Sequence, residues 1–86
     1  MLRMYDLVSF VTRGKVRIKV LENLSKAYTP TELASVIKTH RSTTSRAILA
    51  LEKKGLVDCI TPDEKKGRFY HISKQGRKVL NLIKER

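Results

Sequence analysis

Apolar residues recur at helical spacing through the first half of the chain. Four of them mark a first predicted helix, at i, i+3, i+4 and i+7: Met4, Leu7, Val8 and Val11. This helix should end near Gly14, and a second amphipathic pattern over residues 15–24 leaves Arg17 and Lys19 facing water. A third, short helix is expected where Thr29 precedes Pro30, because a hydroxyl N-cap followed by proline favours a helix start.

The second half of the chain predicts one long helix, a hairpin and a final helix. The long helix should extend to Lys54 and stop at Gly55, with a buried stripe of four residues: Thr44, Ala47, Ile48 and Leu51. Residues 56–61 and 68–72 are predicted strands joined by a turn at residues 62–64. Ser73 then caps the last helix, despite Gly76 near its start.

The predicted order is helix-helix-helix-helix-strand-strand-helix, a mainly α chain with a small β-hairpin (α+β). Residues 1–86 should form one domain with a single modest core, because a chain of this size has no room for a second one. The helices are expected to form a bundle with the two-stranded ribbon at one end.

The charge balance narrows the class of partner. Nineteen Lys and Arg residues against eight Asp and Glu give a formal net charge of +11. Such an excess attracts polyanions, so nucleic acid is the first candidate, and a basic surface that serves only solubility is the alternative. No apolar run approaches the ~20 residues of a membrane span, and the first residues lack a signal-peptide layout. With Cys59 as the single cysteine, we expect a cytoplasmic protein without a disulfide or a membrane contact.

The fourth predicted helix carries a polar face opposite its apolar stripe. A helix fits the major groove of B-DNA, and its first two turns reach base edges, where arginine can pair with guanine and hydroxyls can bond to bases or phosphates. Five residues at this position are candidates for reading bases: Arg41, Ser42, Thr43, Ser45 and Arg46. The alternative is that the hydroxyl residues only start the helix and that Arg46 is a solvated charge.

Two further groups could hold the DNA backbone. The predicted hairpin loop contains Lys65, Lys66 and Arg68 around Gly67, and its cations can reach phosphates or an adjacent minor groove. Thr29 and Thr31 stand at a helix start, where free N–H groups suit a phosphate. Each group has an alternative. The charged hairpin can be only a solvated loop, and the residues at the helix start can serve only as the cap that any helix needs.

At these positions the chain resembles a known family. The landmarks are residues 32–34 (ELA), 42–46 (STTSR), 51–57 (LEKKGLV) and 67–70 (GRFY), followed by Ser73 and Gly76. Together they resemble the winged helix-turn-helix of small prokaryotic, especially archaeal, transcription regulators of the MarR and ArsR type, over about residues 15–83. The resemblance implies a recognition helix at 41–54, a wing at 62–68, and a homodimer on a palindromic operator. In the turn, where the family often has glycine, this chain has residues 38–40 (KTH), which leaves Thr39 or His40 as the helix N-cap.

The terminal helices carry more apolar surface than a small core can cover. Five of their residues are predicted to form a dimer interface: Leu2, Tyr5, Phe10, Leu80 and Ile83. We therefore expect a homodimer through the terminal helices; the alternative is that they only close the core.

No set of residues indicates catalysis, and His40, Cys59 and His71 are too scattered to suggest a metal site. No cofactor is predicted, and little chain remains for a dedicated effector pocket, although a cleft at a dimer interface could exist. The sequence thus predicts a sequence-specific regulator that binds double-stranded DNA. Two alternatives stay open: an RNA-binding or ribosome-associated winged helix, and a protein-interaction winged helix of the transcription machinery.

Overall fold

A computed structural model describes residues 3–85, and it shows five helices and two short strands in the predicted order. The elements are α1 (Met4–Thr12), α2 (Lys15–Asn23), α3 (Pro30–Val36), α4 (Arg41–Lys53), β1 (Val57–Cys59), β2 (Tyr70–Ile72) and α5 (Lys74–Lys84). The mainly helical architecture with a small antiparallel hairpin is therefore confirmed. Within residues 3–85, every helix is too short or too polar to cross a membrane.

One contiguous cluster of buried side chains joins all the elements except the hairpin loop. Its most buried members come from all five helices and from the segments after α2 and α4: Val11, Val20, Leu21, Leu24, Leu33, Ile48, Leu51, Leu56 and Val79. Helix α4 packs on α2 and α3, while α1 packs on α2 and α5. The recognition-helix candidate is thus supported from behind by two helices, which leaves its other side open.

The two strands are shorter than predicted. Val57 pairs with Ile72 and Cys59 with Tyr70. Beyond them, the Ile60 N–H donates to the Phe69 carbonyl at 2.8 Å, and the Phe69 N–H donates to the Thr61 hydroxyl at 3.0 Å instead of to a backbone carbonyl. Residues 62–69 form an exposed loop. Proline cannot donate to a strand ladder, and a charged run that contains glycine has little to gain from pairing, so the ladder ends early.

A third segment, between α2 and α3, pairs with β2 on its other side. Tyr28 and Tyr70 exchange two backbone hydrogen bonds of 3.2 and 2.9 Å, and the Ile72 N–H donates to the Leu24 carbonyl at 2.9 Å. These bonds tie the loop between α2 and α3 to the hairpin. The base of the wing is therefore anchored on both edges of β2.

The turn between α3 and α4 keeps a regular geometry without glycine. The Thr39 N–H donates to the Ala34 carbonyl at 2.9 Å and the Lys38 N–H to the Ser35 carbonyl at 3.4 Å, which is the Schellman pattern of helix ends. Lys38 occupies the left-handed position of this motif, with φ +54°. His40, rather than Thr39, is the N-cap of α4. The chain thus builds the expected turn with a strained lysine where glycine would fit without strain.

The end of α4 is locked to the start of α5. The Ser73 hydroxyl donates to the Gly55 carbonyl at 2.6 Å and accepts the Gly76 N–H at 3.0 Å, while the Ser73 N–H donates to the Leu56 carbonyl at 3.0 Å. A Cβ at Gly76 would lie 2.1 Å from the Leu56 oxygen. Glycine at position 76 is therefore required by the close approach of two backbones, and is not merely a weak point of the helix.

We expect Gly76→Ala to lower the free energy of unfolding by roughly 2–4 kcal/mol, because its methyl group would overlap a backbone oxygen that cannot turn aside. Urea denaturation measures this change. Gly55→Ala is the control: its Cβ would meet no atom within 4 Å, and the φ of +77° alone should cost about 1 kcal/mol. Wild-type stability of Gly76→Ala would contradict the close approach.

A glycine in the α3–α4 turn should stabilise the protein. The left-handed conformation of Lys38 costs about 1–2 kcal/mol, of which the greater freedom of glycine in the unfolded chain offsets part. Lys38→Gly is therefore expected to raise the free energy of unfolding by about 0.5–1 kcal/mol in urea denaturation. Ser35→Gly, at an exposed helical position of α3, should instead lower it by about 0.5 kcal/mol. A loss of stability in both variants would show that the lysine is not strained.

Candidate nucleic-acid interface

The polar face of α4 points away from the core. Its buried stripe consists of the four residues predicted for it: Thr44, Ala47, Ile48 and Leu51. On the other side, Arg41, Ser42, Thr43 and Arg46 are exposed and Ser45 is half-buried. All five candidate base-reading side chains therefore lie on the N-terminal half of one helix, where a single partner can contact them.

The N-terminus of α4 adds donors to this face. Its N-cap, His40, makes no side-chain capping bond, and the first turn contains no acidic residue. The Thr44 hydroxyl donates back to the His40 carbonyl at 2.9 Å, so this buried hydroxyl is satisfied inside the helix. The first-turn N–H groups of a helix have no intrahelical acceptor, and together with the helix dipole they favour an anion.

The face has two different flanks. Ser45 and Glu52 lie on the flank toward the hairpin, and Glu52 is close enough to Tyr70 to influence its ionisation. Thr43 and Arg46 lie on the flank toward the junction of α1 and α2, where they line a groove with residues 13–17. Between the two flanks, Leu49 is 49% exposed. A partner on this face would therefore meet cations and hydroxyls near the start of α4 and an apolar side chain farther along.

The hairpin loop places its cations unequally. Lys65 and Lys66 are exposed next to Gly67, whose φ of +66° makes the turn possible. Arg68 is also exposed, but its Nε donates to the Glu64 carbonyl at 2.5 Å and so braces the loop. The two lysines are thus the cations of the wing that can extend outward without giving up a contact within the loop.

Tyr70 of β2 is buried near Glu52 of α4 and Arg68 of the hairpin loop. Burial raises the pKa of its hydroxyl above the ordinary value, and the nearby Cys59 and Glu52 raise it further, while Arg68 acts in the opposite direction. The hydroxyl therefore stays neutral at physiological pH. Cys59 is a half-buried free thiol, and no group of three His, Cys, Asp or Glu residues within positions 3–85 could hold a metal ion.

At the start of α3, the Thr29 hydroxyl accepts the Glu32 N–H at 3.2 Å, and the Glu32 carboxylate accepts the Thr29 N–H at 3.0 Å. This reciprocal capping box satisfies the end of the helix from within, and the carboxylate would oppose a phosphate there. Thr31 is exposed and lies between these two residues, in the first turn of α3. A backbone contact at Thr29 and Thr31 stays a prediction, with Thr31 the better placed of the two.

The terminal helices expose apolar surface, but only in part at the positions named from the sequence. Tyr5 is 79% exposed, whereas Leu80 and Ile83 are half-buried against their own core. Leu82 is 41% exposed and lines a cavity of about 490 Å³ together with Tyr5 and three other residues: Met4, Val8 and Glu85. Leu2 lies outside the described residues.

Phe10 is engaged within its own chain. The Arg17 guanidinium carbon lies 4.0 Å from the centre of the Phe10 ring and the Lys54 ammonium 5.3 Å from it. Arg17 also donates from Nη1 to the Phe10 carbonyl at 2.6 Å. Arg17 was expected to face water, and it instead covers an aromatic ring, because a planar guanidinium gains from a ring face and a carbonyl at once.

Comparisons with known proteins show which family and which solved structures this chain resembles. The sequence model of the MarR family matches residues 17–61. The transcriptional regulator BldR from Sulfolobus solfataricus is 25% identical, with a TM-score of 0.76 over 92% of this chain and 58% of BldR. TubR from Bacillus thuringiensis serovar israelensis, in a structure bound to 24 bp of tubC, is 14% identical, with a TM-score of 0.82 over 99% of this chain and 96% of TubR.

The homodimeric winged helix-turn-helix domain Mb0332 from Mycobacterium bovis is 19% identical, with a TM-score of 0.76 over 95% of this chain and 76% of that domain. None of the curated proteins matches the sequence significantly. The chain spans less than two thirds of the length of BldR. The winged-helix fold is confirmed, and the match to a family of transcription regulators agrees with the prediction of a regulator rather than an enzyme.

Proposed function

The chain belongs to the MarR family, and on that premise we propose that it is a cytoplasmic, homodimeric transcription regulator that binds double-stranded DNA at specific sequences. The observation that carries this proposal is the exposed face of α4, which presents Arg41, Ser42 and Arg46 opposite a fully buried stripe. DNA binding is what membership of the family implies. The residue-level contacts given below are inferred from the geometry of this chain.

In the proposed complex, the N-terminal half of α4 lies in the major groove. Arg41 and Arg46 can pair with guanine, the hydroxyls of Ser42 and Ser45 can bond to bases, and the methyl group of Thr43 can touch thymine. These side chains belong to the first two turns of a 13-residue helix, the part that reaches base edges when a helix enters the groove.

The wing would hold the flanking backbone or minor groove. Lys65 and Lys66 are exposed, and Arg68 braces the loop that carries them. Thr31, with Thr29 behind it, would approach a phosphate from the start of α3. The net charge of +11 supports this arrangement, because every phosphate neutralised by a cation releases a counterion and strengthens binding.

Dimerisation is proposed through α1 and α5. Tyr5 and Leu82 flank an apolar cleft between these helices, and an apolar cleft of this kind is typical of an interface with a second copy. Phe10, Leu80 and Ile83 lie on the same two helices, and the similar domain Mb0332 is homodimeric. A two-fold dimer would place the recognition helices about 34 Å apart, one turn of DNA.

RNA binding is the second candidate, and one observation favours it. Phe69, at the edge of the hairpin, is 37% exposed, and exposed aromatic side chains can stack on unpaired bases. Selection of bound duplexes from a random pool, followed by competition with structured RNA, separates the two functions. We expect a palindromic motif and preferential duplex binding. Equal competition by RNA, without any enriched motif, would contradict the proposal.

Replacing Arg46 should change specificity more than general affinity. If its guanidinium is bidentate to a guanine, Arg46→Ala should cost about 1–3 kcal/mol on the selected duplex and relax the preference at one base pair. The contrasting variant, Lys65→Ala with Lys66→Ala, should weaken binding to every duplex alike and flatten the salt dependence. Quantitative binding to single-base operator variants measures both effects. An equal loss on all sequences for Arg46→Ala would contradict a base-reading role.

The dimer can be tested at one exposed apolar residue. We expect Leu82→Glu to convert a dimer into a folded monomer at micromolar concentration, because a buried carboxylate without a partner is costly at an apolar interface. Sedimentation equilibrium gives the mass. Asn81→Glu, at the adjacent exposed position of α5, is the matched control and should remain dimeric. A monomeric wild-type protein would exclude the proposed interface.

A further inference from the structure

Leu49 interrupts the polar outward face of α4 with an apolar side chain that is 49% exposed. It belongs neither to the buried core nor to the partly buried apolar residues that pack against the core. We propose that Leu49 is a specificity-determining residue, which recognises the C5-methyl group of a thymine in the major groove. The inference rests on the proposed function and adds a contact at a residue beyond the five candidate base-reading residues.

The position of Leu49 fits the spacing at which a helix reads the major groove. Four residues of α4 lie at i, i+3, i+4 and i+7 on one face: Ser42, Ser45, Arg46 and Leu49. The recognition helix of a homeodomain contacts bases through four residues at this same spacing. The distance from Ser42 to Leu49 along the axis is about 10 Å, the length of about three base pairs. A helix that follows the groove would therefore bring Leu49 to a base edge as well.

The major groove offers a single apolar group to such a side chain. The C5-methyl group of thymine lies in this groove and is contacted by apolar side chains, whereas the other groups of the base edges are hydrogen-bond donors and acceptors. Leucine can neither donate nor accept. Against a donor or an acceptor, it would displace water without replacing the lost hydrogen bond, which costs free energy. Thymine is thus the base that a leucine on this face fits.

The surroundings of Leu49 favour DNA over an apolar protein partner. Leu49 lines an open depression of about 700 Å³ together with Arg46, Ala50, Glu52 and Lys53. Arg46 and Lys53 are both exposed, one turn before and one turn after Leu49, whereas Glu52 is half-buried. An apolar protein surface would have to desolvate the two cations, but the phosphates that border a major groove would neutralise them. The charge on this part of α4 therefore complements a duplex.

Deoxyuridine tests the contact on the wild-type protein, because it pairs as thymidine does and lacks only the methyl group. Each thymine of the selected duplex is replaced in turn, and Kd is measured. We expect a sensitive position in each half-site where the replacement lowers affinity about fourfold, the effect of exposing one buried methyl group. Leu49 lies three residues after Arg46, so this thymine should lie within about two base pairs of the guanine that Arg46 contacts.

Leu49→Ala should abolish the discrimination at this position and bind the thymine and uracil duplexes equally. Its salt dependence should match that of the wild type, because an apolar contact releases no counterion. Alanine favours a helix and Leu49 lies outside the core, so the variant should fold. Val36→Ala, at a position of α3 that is 46% exposed, is the matched control and should discriminate as the wild type does.

The Thr43 methyl group could produce a second sensitive thymine, which would persist in Leu49→Ala. The contact with Leu49 would be overturned if no thymine of the wild-type complex were sensitive, or if every sensitive position stayed equally sensitive in Leu49→Ala. Either result would leave sequence-specific DNA binding intact. Absence of duplex binding by the wild type, or binding without a preferred sequence, would instead overturn the proposed function and this inference together.

Discussion

The contact between Ser73 and the end of α4 is the constraint on which the rest of the structure depends. One hydroxyl bridges the Gly55 carbonyl and the Gly76 N–H, and the backbone of α5 approaches Leu56 so closely that only glycine fits at position 76. This junction sets the angle at which the chain leaves α4, enters the hairpin and returns as α5. The proposed DNA face and the proposed dimer helix are therefore held in a fixed relation by a few backbone contacts.

That relation matters for the proposed dimer, which would have to present two recognition helices at the spacing of the duplex. In this chain, α4 is supported from behind by α2 and α3, and α5 reaches the core through α1 and α2. The basic side chains are spread over exposed positions of the described residues, at the junction of α1 and α2, on α4, in the hairpin loop and on α5. Charged groups at the surface remain hydrated, and a protein with a small core therefore tolerates a net charge of +11.

Much of the fold was predictable because local signals agree with the tertiary structure. Helical periodicity identified all five helices, and the Thr29-Pro30 and Ser73 starts were correct because capping is a local interaction. The strands were predicted too long. A residue joins a ladder only when a residue opposite it pairs with it, and the loop residues between the two strands do not pair in this way. The exposed residues of α4 followed from the same periodicity, whereas the exposure of Leu82 depended on how α5 is rotated against its neighbours.

The sequence by itself determined the order of the elements, the face of α4 that is turned outward, and the family, because each depends on residue patterns within a short stretch of chain. The tertiary structure alone decided the role of Gly76, the use of Arg17 against Phe10, and the groove that the junction of α1 and α2 forms with α4. These features join residues that are distant in sequence. Periodicity carries no information about such distances, which only the packing of the helices creates.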